Sequence, residues 1–153
     1  MPKAIHVSSL EDHLGYWLRY VSNQVSHAFS VRLAARDVTV AEWVMLRELY
    51  GQDAMVPSVV ADRLGMTRGA ISKLADRLSA KALLTRVPGR QDRRYHDLAL
   101  TAAGRALVPE LSALADRNDA EFFGHLDPAD RATIDRLMKD IVRKLGLRTM
   151  PID

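Results

Sequence analysis

Apolar residues recur along most of this chain at the three-and-four spacing of helices, and in one short stretch they alternate instead. Leu10, Leu14, Trp17, Val21, Val25, Ala28 and Phe29 mark a long first helix running to about Arg36. Ser8 with Glu11 three residues on is the reciprocal pair that caps its N-terminus. Thr39 with Glu42 repeats that signature ahead of Trp43, Leu46, Leu49 and Tyr50, and Gly51 ends the second helix. A short third helix follows Pro57 and stops at Gly65, and Thr67 caps a fourth through Ile71, Leu74 and Leu78 to about Ala82. Leu83 to Val87 then reads as a strand and Pro88-Gly89 as a turn, after which His96, Leu98 and Leu100 alternate with Tyr95, Asp97 and Ala99. Thr101 caps a fifth helix through Leu107, Leu111 and Leu114 to about Phe123, where Pro109 demands a kink or a late start. Asp127 before Pro128 opens a last helix with Ile134, Leu137, Met138, Ile141, Val142 and Leu145 on its inner face.

These elements predict a mainly α chain with one small β-hairpin, an α+β architecture. The third and fourth helices carry the most specific pattern. In "VVADRLGMTRGAISKLADRL" Ala61 lets the next helix cross closely, Gly65 accepts positive φ in the turn, and Ile71 and Leu74 plug the angle between the helices. That is a helix-turn-helix. With Ile71, Leu74 and Leu78 inside, the fourth helix leaves Arg68, Gly69, Ser72, Lys73, Asp76 and Arg77 outside, with Thr67 and free backbone amides at its start. Arginine or lysine there can donate to guanine O6 and N7, and the helix N-terminus to phosphate.

Charge sharpens this picture. The net charge is only +3, but Thr67 to Arg105 holds nine Lys or Arg against three Asp, a segment at +6 in a chain otherwise at −3. Such a stripe is the footprint of a polyanion binder. Four of the cations, Arg86, Arg90, Arg93 and Arg94, flank the hairpin turn, which makes the whole a winged helix-turn-helix. The wing tip falls near a minor groove, where arginine inserts most readily: Arg94 is the candidate for insertion, Arg90 and Arg93 for phosphates. Asp92 would repel phosphate and reads better as the carboxylate that orients an arginine.

Length and composition bound the rest. At 153 residues the chain is one domain's worth, and without cysteine it has no disulfide, no thiolate zinc site and no thiol redox sensor. No long apolar run encodes secretion or membrane spanning, so a cytoplasmic location is expected. There is no P-loop, G-x-S-x-G, H-E-x-x-H or dinucleotide-type glycine fingerprint, and the carboxylates sit singly; neither catalysis nor a cofactor is expected. His6, Glu11, Asp12 and His13 match no compact metal site, and His27, His96 and His125 are scattered. A rival reading is a winged helix used for non-specific DNA or protein contacts without ligand control.

The order of a helix, a helix-turn-helix, "DRLSAKALLTR", the "DRR" wing at Asp92 to Arg94, then "LALTAAGRALV" resembles the MarR family of bacterial transcriptional regulators over nearly the whole chain. The resemblance implies a homodimer on a pseudo-palindromic operator, most often a repressor, with the first, fifth and sixth helices at the interface. It divides residues 1–153, taken as one domain, into a DNA-binding part at 39–100 and dimerisation helices at 5–37 and 101–147. Asp92 and Arg94 become the wing pair, and the exposed residues of Thr67 to Arg77 the major-groove readers. Apolar stripes on the first and last helices, wider than a small winged helix can cover, favour the dimer independently. The resemblance further implies release by a small anionic or phenolic aromatic compound held between dimer helices and winged helix, for which His13, Trp17, Tyr20 and Trp43 are the candidates, with Arg19 nearby. One departure stands out: many members have glycine before the first wing strand, where this chain has Ala82.

Overall fold

The computed structural model describes Met1 and residues 4–148. Six α-helices and one hairpin follow in the order α1 (Leu14–Ala34), α2 (Val40–Tyr50), α3 (Pro57–Leu64), α4 (Arg68–Ala80), β1 (Leu84–Pro88), β2 (His96–Leu100), α5 (Ala102–Phe123) and α6 (Pro128–Lys144). The strands pair antiparallel with Arg86 opposite Leu98, and Met55 adds one bridge on the far side of Leu98. Leu33, Met45, Leu46, Val60, Ile71, Leu78, Leu98 and Leu111 are buried together, so one core joins the end of α1 to the winged helix and the middle of α5.

The helix starts follow their caps. Thr39, Thr67, Thr101 and Asp127 each accept a backbone N–H of the helix they open. The first helix departs from expectation. "SSLED" offers two capping registers, and the fold takes the later one: Ser9 N–H donates to the Asp12 carboxylate at 2.8 Å over a short 3₁₀ turn, Leu10–Asp12. His13 is extended, so α1 begins only at Leu14 and ends at Ala34 rather than near Arg36. Pro109 neither delays nor ends α5; the helix runs through it from Ala102. The last helix differs most. The face expected inside, Ile134 through Leu145, is exposed, and α6 has no buried residue at all. None of the described residues covers that face.

The joint between winged helix and α5 explains the "LT-x-x-G" spacing. Thr101 Oγ1 donates to the Ala82 carbonyl at 2.7 Å and accepts from Gly104 N–H at 3.0 Å, while Thr101 N–H donates to the Leu83 carbonyl at 3.1 Å. A Cβ on Gly104 would overlap that same Leu83 oxygen. The helix therefore sits as close to the wing as backbone allows. Ala82 takes the left-handed conformation, φ 59°, that usually falls to glycine, and β1 begins at Leu84 rather than Leu83. An L-residue is strained there and Ala82 is exposed, so Ala82→Gly is expected to raise stability by about 0.5 to 1 kcal/mol after the unfolded-state entropy of glycine is counted. Urea unfolding would show it as a later midpoint at unchanged slope; an earlier midpoint would mean that Ala82 is not strained.

Candidate nucleic-acid interface

Gly65, at φ 63° and ψ 31°, closes α3 and turns the chain into α4. Thr67 Oγ1 accepts Ala70 N–H at 3.1 Å, and Ile71, Leu74, Ala75 and Leu78 lock one face of α4 into the core. The other face presents two neighbouring rows at helical spacing, Arg68–Ser72–Asp76 and Gly69–Lys73–Arg77, all of them exposed. The residues expected to read DNA are thus on one accessible surface. Their states differ. Among the described residues Arg68 and Lys73 have no ion-pair partner, so their donors are free for an incoming polyanion. Asp76 binds Arg86 of β1, Nη2 to Oδ1 at 2.7 Å. Arg77 turns back toward the core, giving Nη2 to Glu42 Oε1 at 2.8 Å and to Thr39 Oγ1 at 3.1 Å.

Glu42 was legible only as a cap. Its backbone N–H does donate to Thr39 Oγ1, at 3.1 Å, but its carboxylate turns inward and is 1% exposed. There it meets Arg77 and also Lys81 Nζ, at 2.9 Å from Oε2. Lys81 in turn donates to the Asp37 carbonyl, at the positive-φ residue that ends the α1–α2 turn. Burial alone would push the Glu42 pKa up; hydrogen bonds and charge from Lys81 and Arg77 outweigh it and hold the carboxyl below its ordinary value. One buried anion therefore ties α2 to the C-terminal half of α4.

The wing carries the expected pair. Arg94 gives Asp92 a two-pronged contact, Nε to Oδ1 at 3.0 Å and Nη2 to Oδ2 at 2.7 Å, and Arg94 N–H closes onto Oδ1 at 3.0 Å. The guanidinium hydrogen bond beside Asp92 holds its carboxyl below, and Asp92 holds the Arg94 guanidinium above, their usual values. Arg94 is nonetheless 83% exposed, so the guanidinium is aimed and not buried. Arg93 is exposed without an ion pair among the described residues. Arg90 reaches Asp53 only at 3.4 Å between two largely exposed side chains, a contact worth little in water. Arg86, not among the residues expected at the site, stands beside α4 through Asp76, a place that depends on how the hairpin folds back.

The four residues expected to hold a ligand do not come together in one chain. Trp17 and Tyr20 gather around Tyr16, at ring-centroid distances of 5.2 and 6.4 Å from it, and both are exposed. Trp43 packs edge-on against Phe29 at 6.3 Å, beside the core. The His13 ring nitrogen Nδ1 lies 2.9 Å from the Ser9 carbonyl, away from the aromatic candidates' ring contacts. An open cleft of about 440 Å³ lies instead between α5 and α6, lined by Phe123, Leu126, Ile134 and Met138. Among the described residues no three His, Asp or Glu are placed to hold a metal ion, and no helix is long and apolar enough to cross a membrane.

This geometry has close counterparts. A model described as MarR family matches residues 36–94, from the α1–α2 turn through the wing arginine. Over 142 residues, 89% of this chain and 82% of the relative, the sequence is 28% identical to a protein named as a transcriptional regulatory protein for the hcr operon of Thauera aromatica. Among solved structures it is similar to BpsR of Bordetella bronchiseptica, whose DNA binding is regulated by 6-hydroxynicotinic acid, at TM-score 0.78 and 27% identity over 89% of this chain and 97% of that one. CouR of Rhodococcus jostii RHA1, solved with p-coumaroyl-CoA bound, matches at TM-score 0.78 and 25% identity over 95% and 99%.

Proposed function

We propose, from the premise that this chain belongs to the MarR family of transcriptional regulators, that it is a sequence-specific DNA-binding repressor in the cytoplasm rather than a catalyst. It acts as a homodimer on a palindromic operator and is released by a small aromatic acid or phenol. The observation that carries the reading is the surface shared by α4 and the wing: Arg68 and Lys73 free on the helix, and Arg94 aimed outward by Asp92. Thr67, Gly69 and Ser72 complete the major-groove face with small or polar groups that let the helix approach base edges, and Arg90 and Arg93 take phosphates. Residues 39–100 then do the reading, and 5–37 with 101–147 the pairing.

The exposed apolar faces of α1 and α6, Leu14, Leu18 and Val21 on one and Leu137, Ile141 and Leu145 on the other, support the homodimer. Few monomers leave so much apolar surface in water. An aromatic effector is favoured because BpsR and CouR, named above, are both described with ligands that carry an aromatic ring. In a dimer a second chain supplies the missing wall beside Trp17 and Tyr20.

Selection of bound duplexes from a random DNA pool at about physiological salt tests the assignment. A palindrome with half-sites about one helical turn apart is expected. Enrichment of no sequence would replace this reading with non-specific DNA or protein contacts.

A further inference from the structure

Asp76 is hard to explain on a DNA-reading face. It ends the row Arg68–Ser72–Asp76, so an unpaired carboxylate there would confront the phosphates that Arg68 attracts. It also lies in the C-terminal half of α4, where the helix dipole disfavours an anion. A carboxylate can also accept from cytosine N4 in a major groove through one oxygen, a role that the test below separates from positioning. Here Oδ1 instead holds Nη2 of Arg86 at 2.7 Å, joining the recognition helix to the first wing strand. That contact uses one of the five N–H donors of the guanidinium, and the Arg86 side chain remains 37% exposed.

We propose that Asp76 is a positioning residue that turns Arg86 into the notch between recognition helix and wing, where its remaining donors take one phosphodiester oxygen of the bound duplex. The inference rests on the DNA-binding reading above and adds to it a contact between the major-groove and wing contacts. The Asp76 charge is neutralised by the same pair, which removes the objection to an anion on this face. Arg86 is the group that touches DNA; Asp76 acts through it.

The sign of one substitution separates the alternatives. If Asp76 only repels DNA, Asp76→Asn strengthens binding. If it positions Arg86, Asp76→Asn weakens binding despite the lost negative charge. Affinity is measured as a function of salt for wild type, Asp76→Asn, Arg86→Ala and the double variant, on a selected duplex and on an unrelated one, with thermal unfolding confirming that each is folded. Arg86→Ala is expected to weaken both duplexes roughly tenfold and to make the log–log salt slope shallower by about 0.9, the value of one phosphate contact. Asp76→Asn should weaken binding about threefold in the wild-type background and strengthen it in the Arg86→Ala background, where the carboxylate is left unpaired. Arg86→Lys, which keeps the charge but not the fork, should restore the slope while recovering only part of the affinity.

Unchanged affinity and slope in Arg86→Ala would make the pair purely structural and overturn the proposal. Loss of preference at a single cytosine in Asp76→Asn, additive with Arg86→Ala, would make Asp76 a base reader and overturn it equally. Wild-type protein that binds neither duplex would remove the DNA reading itself, a result distinct from either of these.

Discussion

Replacing Arg77 and Lys81 together by methionine is expected to destabilise the fold by about 3 kcal/mol at neutral pH, the lower end of the range for stranding a buried charge. Glu42 is 1% exposed, and among the described residues these two side chains are its only cationic partners. The lower end applies because the Arg77 side chain is 50% exposed and water shares in solvating the pair. Methionine keeps the apolar stems in place, so the loss measured is that of the charges and hydrogen bonds. Urea unfolding of the double variant checks the figure; a change below about 0.5 kcal/mol, the size of an ordinary surface substitution, would mean that water reaches Glu42 freely.

Acid dependence gives the same substitution a second signature of opposite sign. In the wild type the Glu42 pKa is lowered on folding, so its contribution is fully present above the unfolded-state carboxylate range and is lost as pH falls through the folded value below that range. With both cations gone only desolvation remains, and it raises the pKa. The double variant should therefore gain stability as pH falls toward the carboxylate range, where the wild type begins to lose it. Curves of unfolding free energy against pH that stay parallel would show that Glu42 is not the titrating group that links α2 to α4.

Arg77 also marks where the sequence stopped being legible. Its position on the outer face of α4 follows from helical spacing alone, and so does its candidacy as a reader of DNA. That it turns back to Glu42 depends on how α2 crosses α4, which no local pattern encodes. Glu42 was hidden for a related reason: the Thr39 signature accounts fully for its presence, and only burial reveals a second role for its carboxylate. The helix-turn-helix itself was easy to read because each step of it is local: Gly65 at positive φ, Thr67 at a cap, Ile71 and Leu74 one helical turn apart. Asp92 and Arg94 were legible for the same reason, being two residues apart in one turn. The α6 face shows the opposite limit. Ile134 to Leu145 was rightly read as an amphipathic stripe, but which surface it meets is not written in its own period, and within one chain it meets solvent. The aromatic candidates show the same limit: Trp17 and Trp43 lie on different helices, and the distance between faces is a tertiary quantity.

Arg94→Ala is expected to weaken operator binding by about 1 to 3 kcal/mol, a loss of roughly 5- to 150-fold, while leaving the fold unchanged. The fold should not notice because the Arg94 side chain is 83% exposed and, among the described residues, pairs with Asp92 alone. The loss should be greatest on duplexes with A·T-rich flanks, where a narrow minor groove concentrates negative potential and rewards an inserted guanidinium. Asp92→Asn separates aiming from charge. It keeps an acceptor for Arg94 N–H but removes the carboxylate that holds Nε and Nη2, and it raises the net charge of the wing by one. If attraction to phosphate were all that mattered, Asp92→Asn would bind every duplex more tightly. If Asp92 aims Arg94, affinity for the A·T-flanked operator falls while affinity for an unrelated duplex rises, so the ratio of the two collapses from both sides. Competition binding of the two duplexes at fixed salt reads that ratio directly. A ratio left intact in both variants would take the wing out of sequence recognition and leave α4 as the sole reader.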